Sequence, residues 1–211
     1  MAHIPDGVLA APVLIGGALA SGALLAVSLH RLDYERIPQA AVLSAAVFVS
    51  SLITIPVGPS SVHLLLNGLM GLVLGWAAVP AILVALVLQA AFFGYGGLLV
   101  LGVNSLNMAL PALVCAALFG RHVTSGKCRR PFLFGALAGG VGVILTALMV
   151  SLSIAFSQEA YLPAARLILF IYLPLAIAES VVTGAVIAFV WRVAPELLRN
   201  RFAGVSVHQH G

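Results

Sequence analysis

Charged residues are scarce in this chain: Asp, Glu, Lys and Arg make up 8% of its 211 residues, whereas hydrophobic residues make up 62%. Soluble domains carry roughly 25% charged residues, so the scarcity excludes an ordinary soluble protein. Several apolar runs approach or exceed the roughly 20 residues with which a helix crosses a bilayer, and the alternation of a membrane β-barrel is absent. The composition therefore predicts an all-α, multi-pass membrane protein.

Cysteines and the common catalytic motifs are also few or missing. The two cysteines, Cys115 in an apolar run and Cys128 in a basic segment, form no CxxC pair and predict free thiols. Gly120 and Gly126-Lys127 lack the spacing of a phosphate-binding loop, and Cys128 follows where that loop needs Ser or Thr. The chain is therefore predicted not to bind ATP through such a loop. Because HExxH and GxSxG are absent too, it is also predicted not to be an enzyme.

About seven transmembrane helices are predicted within a single domain over residues 1–200, followed by a polar tail over 201–211. The interruptions are a turn at 57–61, a reversal at Gly75-Trp76, and a Gly-rich stretch over 94–102 that is either re-entrant or on the surface. A cleavable signal peptide is the alternative for the first span, but no Lys or Arg precedes that span and it is longer than usual. The predicted spans are 8–29, 38–57, 62–75, 78–93, 104–120, 131–156 and 166–191.

The basic residues are distributed unevenly over the two faces that seven crossings define. One face carries Arg166 alone, and the other carries Arg31, Arg36, Arg121, Lys127, Arg129, Arg130, Arg192, Arg199 and Arg201. Positive residues accumulate on the cytoplasmic side, so the N-terminus is predicted to be extracytoplasmic and the tail cytoplasmic. Residues scattered over helix ends in this way do not form a nucleic-acid-binding stripe.

The first seven residues, Met1-Ala2-His3-Ile4-Pro5-Asp6-Gly7, place an imidazole within two residues of a free amine. An α-amine, a backbone amide nitrogen and a nearby imidazole can bind a transition metal in one plane, a geometry suited to nickel or copper and possible for cobalt. A polar interface residue without a ligand role is the alternative interpretation of an isolated histidine.

His63 is the second candidate, because the predicted topology puts the segment before it on the same extracytoplasmic face as His3. Two imidazoles at one face favour a shared metal ion, although a histidine in the first turn of a span also serves as a cap. Asn67 lies at i+4 and is predicted to orient the His63 ring. An interhelical hydrogen bond is the alternative role for this amide.

Three further polar residues lie inside the predicted spans. Asn104 and Asn107 form a polar face near the outer end of the fifth span. We interpret them as residues that hydrogen-bond between helices, and secondarily as residues that support a metal site. Glu179 is the only carboxylate well inside a span. Its position near the middle of the seventh span is expected to keep it far from both histidines, so we interpret it as a buried helix contact and only secondarily as part of an ion path.

Small residues recur every four positions in the first span, at Ala18, Gly22 and Ala26, and again at Gly71 and Gly75. Such ridges allow helix backbones to approach closely, either within one chain or against another subunit.

Three segments carry a family resemblance. The first is His3-Ile4-Pro5-Asp6-Gly7, the second runs over 58–68 around His63, and the third runs over 89–111. They resemble the substrate-binding membrane subunit of energy-coupling-factor importers for cobalt and nickel, the CbiM/NikM family. The likeness extends over essentially the whole chain, and the form of the first segment is closer to the cobalt branch.

The resemblance implies a subunit with seven spans that captures one Co²⁺ or Ni²⁺ ion outside the bacterial cytoplasmic membrane. The implied ligands are the N-terminal amine, the backbone nitrogen and the imidazole of the next histidine, and a second histidine that maps onto His63. The implied partners are a transmembrane coupling subunit, cytosolic ATPase subunits and a small accessory membrane subunit. The ridge of Ala18, Gly22 and Ala26 is the expected contact with the coupling subunit.

One departure from the family concerns the amine. The family begins Met-His, whereas Ala2 stands between Met1 and His3 in this chain. If Met1 is removed, as the small Ala2 allows, Ala2 supplies the amine and His3 is again the second residue. If Met1 stays, the amine, two amides and His3 can fill the plane and displace His63. The first outcome is favoured.

The predicted function is therefore metal capture for an ATP-driven importer. The alternative is a stand-alone cation channel or secondary transporter that uses Glu179 and the intramembrane asparagines as a polar path.

Overall fold

The computed structural model describes residues 3–57, 60–124, 130–157 and 162–198. These ranges contain one antiparallel hairpin, β1 (Thr54–Val57) with β2 (Ser60–His63), and short 3₁₀ turns at Tyr34–Arg36, Gly75–Ala77 and Pro195–Leu198. All other regular structure in the described ranges is helical, which confirms the predicted class. The α-helices are α1 (Ala11–His30), α2 (Ile37–Ser50), α3 (Asn67–Leu74), α4 (Ala78–Phe93), α5 (Leu101–Thr124), α6 (Pro131–Ala155) and α7 (Leu162–Val193).

Five helical segments of the described chain are long and apolar enough to cross a membrane. They are Ala11–His30, Asn67–Phe93, Leu101–Val123, Pro131–Ala155 and Leu167–Val193. The predicted count of seven is not confirmed, because α2 has 14 residues and at about 1.5 Å per residue falls short of the roughly 30 Å hydrocarbon core. The predicted third and fourth spans lie within one apolar stretch, which bends at Gly75 with a φ of 57°.

The chain between α2 and α3 differs from the sequence-based prediction. Helical spans were expected over 38–57 and from residue 62, but α2 ends at Ser50 and a hairpin follows in which Thr54 pairs with His63. The strand arises because Thr, Ile and Val favour extended backbone and Pro56 cannot donate a helical hydrogen bond. His63 therefore ends a strand and does not open a helix. The predicted turn at 57–61 includes residues 58 and 59, which are outside the described ranges.

Helix α3 forms the centre of the bundle, and all of its residues are buried. It packs against α5 and α6 through glycines, since a Cβ at Gly71 would overlap the backbone of Ala112 and a Cβ at Gly68 would overlap the backbone of Ala138. The small-residue pattern at Gly71 thus serves packing within the chain. Because backbone atoms occupy the place of the added Cβ, no side chain could move aside to make room for it.

We expect Gly71→Ala to lower the free energy of unfolding by about 1–3 kcal/mol or more, the usual cost of overpacking a core. Thermal unfolding of the purified chain in detergent measures the effect. Gly16→Ala is the matched control, because a Cβ there meets nothing within 4 Å and alanine is the better helix former. Equal unfolding temperatures for Gly71→Ala and wild type would contradict the packing assignment.

Helix α1 connects the two ends of the bundle. Near its start, Gly17 packs against Val103 and Ala18 against Gly102 of α5. At its far end, the Ser28 hydroxyl donates to the Trp76 carbonyl at 2.6 Å and the Arg31 guanidinium lies 4.4 Å from the centre of the Trp76 ring. The reversal at Gly75–Ala77 therefore lies at the opposite end of α1 from His3.

Candidate metal centre

The structure brings the two candidate histidines together. The ring centres of His3 and His63 are 5.1 Å apart with an angle of 44° between the planes, and their side chains are 5% and 3% exposed. The Nε2 atom of each ring is buried without a hydrogen-bond partner among the described residues. Two imidazoles that each bind one ion at about 2 Å have ring centres roughly 4 to 6 Å apart, so the spacing suits a shared ion.

The His63 ring is oriented by a neighbouring backbone carbonyl and by an aromatic ring. Its Nδ1 lies 3.0 Å from the Leu64 carbonyl oxygen, and that contact favours the tautomer in which Nδ1–H donates and Nε2 carries the lone pair. The ring also stacks on Tyr95, with centres 6.2 Å apart and planes 10° apart. His63 therefore presents the nitrogen that a metal ion would need.

The His3 stretch is clamped by α5 and the loop before it. The Asn104 side chain accepts from the Ile4 amide at 3.2 Å and donates to the Ile4 carbonyl at 3.0 Å. Asp6 accepts from the Val100 amide at 3.1 Å, and its own amide donates to the Gly96 carbonyl at 3.1 Å. Asn104 thus fixes the backbone next to His3.

The Gly-rich stretch over 94–102 lies against this N-terminal stretch. Gly96 and Gly97 have positive φ values of 79° and 145°. A Cβ at Gly97 would overlap the Asp6 carboxylate, and one at Gly96 would lie 2.9 Å from the Asn104 amide nitrogen and 3.5 Å from the His3 Cβ. The glycines allow the loop to approach the His3 backbone closely.

Burial keeps both imidazoles neutral at lower pH than usual. Desolvation, aided by the neighbouring His63, lowers the pKa of His3 from 6.5 to about 3. Desolvation also lowers the pKa of His63, against a smaller opposite effect of the Leu64 carbonyl. Metal ions bind the neutral ring, so burial keeps both imidazoles in the protonation state that can bind a metal ion.

Sequence reasoning missed one residue at this site, Gln89. This side chain is fully buried near the end of α4 and lies close enough to His3 to raise the pKa of that imidazole against the effect of burial, although neither of its amide atoms forms a hydrogen bond with a described group. Metal-bound histidines usually donate their second ring N–H to such an acceptor. The available signal was an amide inside an otherwise apolar helix.

The surroundings of Glu179 differ from the prediction. Its position in the middle of α7 was expected to keep it far from the histidines, but Glu179 Oε1 accepts from the backbone amides of Leu65 and Leu66, the latter at 2.8 Å. The prediction that Glu179 is buried and hydrogen-bonded holds, with a loop as its partner in place of a helix. The distance expectation failed because the hairpin and the residues after β2 enter the bundle and reach α7.

The other two asparagines do not contact the histidines through any described hydrogen bond. Asn67 was predicted to orient His63, but its amide donates to the Thr146 hydroxyl at 2.7 Å, which ties α3 to α6. The predicted contact between Asn67 and His63 required both residues to lie on one helix that begins at residue 62, but α3 begins at Asn67. Asn107 interacts with Ser153 of α6 at 3.4 Å, in keeping with a role between helices.

Two predicted ligands, Met1 and Ala2, lie outside the described residues. Within the described ranges no group of three or more His, Cys, Asp and Glu side chains is arranged to hold a metal ion. A site built here on the two histidines therefore needs further donors of another kind. The main-chain nitrogens of the N-terminus are donors of that kind.

Comparisons with known proteins extend these observations. The family model described as "Cobalt uptake substrate-specific transmembrane region" matches residues 3–197. A chain from Haemophilus influenzae named for metal transport is 40% identical over 94% of this chain and 97% of its own length. A fused nickel transport protein, NikMN, of Rhodobacter capsulatus is 33% identical over 99% of this chain and 67% of its own length.

Two further relatives connect the sequence to cobalt and to a solved fold. A chain from Methanocorpusculum labreanum named as cobalt transport protein CbiM 1 is 31% identical over 92% of this chain and 85% of its own. A crystal structure of a truncated transition metal transporter superposes with a TM-score of 0.78 at 28% identity, covering 90% of this chain and 98% of that one. The chain is a multi-pass membrane protein that belongs to the cobalt uptake substrate-specific transmembrane family, the CbiM family.

Proposed function

We propose that this chain is the metal-capture subunit of an ATP-driven energy-coupling-factor importer that carries Co²⁺ or Ni²⁺ across the cytoplasmic membrane. The observation that carries the proposal is the pair of buried rings of His3 and His63, 5.1 Å apart, with the Nε2 of His63 free among the described residues. In a chelate with its own amide nitrogen, His3 would bind the ion through Nδ1. The relatives include proteins named for nickel and for cobalt at 33% and 31% identity. These relatives support both ions as substrates.

In the proposed capture step the residues divide the work. The amine of Ala2, after loss of Met1, and the amide nitrogen of His3 supply two nitrogens, and the imidazoles of His3 and His63 supply two more. Asn104 holds the backbone that follows His3. A planar set of nitrogens suits tetragonal Ni²⁺ and is open to Co²⁺, whereas hard cations such as Mg²⁺ prefer oxygen ligands.

Energy is proposed to come from partners: a coupling subunit, cytosolic ATPase subunits and a small accessory membrane subunit. The deciding experiment is uptake of radioactive Co²⁺ and Ni²⁺ by cells that produce the chain with and without an ATPase and coupling subunit of this importer class. We expect accumulation only with the partners. Equal accumulation by the chain alone would refute the proposal and favour the channel or secondary transporter that uses Glu179.

The face for the coupling subunit is proposed to include Ala18, Gly22 and Ala26. Ala18 also packs against Gly102 within the chain, whereas a Cβ at Gly22 meets nothing within 4 Å. We expect Gly22→Leu to leave metal binding by the isolated chain unchanged and to reduce recovery of the assembled complex at least severalfold, measured by co-purification. Normal assembly and uptake with Gly22→Leu would refute this face.

The proposed ligand set predicts a specific dependence on acid. Binding of one ion displaces protons from an amine with a pKa near 8 and from an amide, so affinity should fall by about two decades per pH unit below neutrality. Since the pKa of His3 is lowered to about 3, its imidazole adds no further proton between pH 7 and 5. Metal titrations over this range measure the slope. A slope that steepens by one decade per unit for each histidine below pH 6.5 would contradict the neutral state of the buried rings.

A further inference from the structure

One side chain outside the proposed ligand set connects the middle of α7 to the segment that carries His63. Glu179 is fully buried, and its Oε1 accepts from two successive backbone amides, those of Leu65 and Leu66. The segment begins directly after β2, which ends at His63. The carboxylate thus binds the chain within three residues of a proposed ligand.

The backbone at this point depends on its surroundings. Leu66 has a φ of 53°, and it is the one non-glycine residue with positive φ in the described ranges. A bulky residue adopts this left-handed conformation only where contacts with the surrounding structure hold it there. Successive amides in such a turn form a concave site for an anion, and the Glu179 carboxylate occupies it. Without an acceptor, the two buried N–H groups would lose their hydrogen bonds at a substantial cost.

We propose that Glu179 is a positioning residue that holds His63 in place for the metal ion. This inference rests on the proposed function. Glu179 fixes the Leu65 and Leu66 amides, the fixed segment sets the Leu64 carbonyl, and this carbonyl contacts His63 Nδ1 at 3.0 Å. The ring is thereby turned so that its Nε2 stays free. In this role the carboxylate acts through its ability to accept hydrogen bonds.

The consequence is that different helices hold the two imidazoles. The backbone next to His3 is bonded to Asn104 on α5. The segment after His63 is bonded to Glu179 on α7, and Asn67 adds a bond to Thr146 on α6. A shift of α6 and α7 relative to α5 would move His63 away from His3. Such a movement would separate the two imidazoles without protonation of either ring.

The test uses the full chain, purified in detergent and titrated with Co²⁺ and with Ni²⁺. Glu179→Leu keeps the volume and removes the acceptor, so we expect the affinity to fall roughly 10- to 100-fold, as for other groups that orient metal ligands. Glu179→Gln removes the charge but keeps a carbonyl that can accept from both amides. It should retain most of the affinity and the absorption spectrum of the bound ion, whereas Glu179→Leu should shift that spectrum.

The matched control is Thr183→Val, one turn along α7 from Glu179. Thr183 is fully buried and its hydroxyl has no partner among the described residues. The isosteric change should leave both affinities unaltered. Backbone hydrogen exchange provides a readout without metal: the Leu65 and Leu66 amides should exchange faster in Glu179→Leu, and remain protected in Glu179→Gln and Thr183→Val. Thermal unfolding and gel filtration confirm that each variant is folded.

The outcomes separate the inference from the function on which it rests. Wild-type binding together with undiminished binding by a folded Glu179→Leu refutes the positioning role alone. Loss of binding in Glu179→Gln as severe as in Glu179→Leu also refutes it, because the charge itself would then be required. A wild-type chain that binds neither ion refutes the proposed function and, with it, the role of Glu179 toward a ligand.

Discussion

Replacing His63 with alanine is expected to lower the affinity of the purified chain for Co²⁺ and Ni²⁺ by more than about 100-fold, since loss of a direct ligand should exceed the roughly 10- to 100-fold cost of losing a group that merely supports one. His3→Ala should have at least as large an effect, because it also removes a ring of the proposed planar chelate. A 100-fold loss corresponds to about 2.8 kcal/mol of binding free energy. Equilibrium dialysis with radioactive metal measures it.

The control for both variants is His30→Ala. His30 is the last residue of α1, at the opposite end of that helix from His3, and its side chain is exposed. This variant loses the same side chain without touching the candidate site, so its affinity should equal that of wild type. Undiminished binding in both His3→Ala and His63→Ala would end the capture hypothesis.

The elements that follow from local sequence were predictable. Apolar runs of sufficient length gave α1, α5, α6 and α7, and the break between α3 and α4 was visible in Gly75. The proximity of His3 and His63 was also expected, although from topology and family resemblance rather than from spacing. A helix boundary depends on residues near it, which is why these features can be read from a sequence.

The path of the chain into the bundle could not be predicted in the same way. Residues 54–57 prolong the apolar run of α2 to a length that suits a span, and only their β-branched character and Pro56 indicate a strand. The contact of Glu179 with Leu65 joins residues separated by 114 positions. Such a contact is set by how the helices pack, so a position in the middle of α7 could not reveal a partner two residues after His63.

Gln89 and Glu179 show how a site extends beyond its predicted ligands. Both are fully buried polar residues in largely apolar helices, and each acts on a segment that carries one histidine. Glu179 was noticed as an intramembrane carboxylate but was assigned away from the site. A polar residue in an apolar span has to find a partner, and the partner can be a backbone group close to a binding residue.

A short peptide tag added before Met1 should abolish metal capture, with a loss of affinity comparable to that of His3→Ala. The proposed plane needs a free amine next to His3, and an extension converts that amine into an amide and moves the free amine away from the site. The same tag placed after Gly211 should leave the affinity unchanged. Metal titration of the two tagged chains provides the comparison.

The identity of the amine can be determined on the same material. Mass spectrometry of the intact, metal-bound protein should show that Met1 is absent, so that Ala2 supplies the amine and His3 is the second residue. Proteolytic removal of an N-terminal tag that leaves Ala2 first should then restore full affinity that depends on His63, whereas binding by a product that begins with Met1 should not depend on His63. If Met1 is retained in metal-bound protein, the amine, two amides and His3 complete the plane, and His63→Ala would then have little effect. The mass and the His63→Ala titration must therefore agree, because both follow from which residue provides the amine.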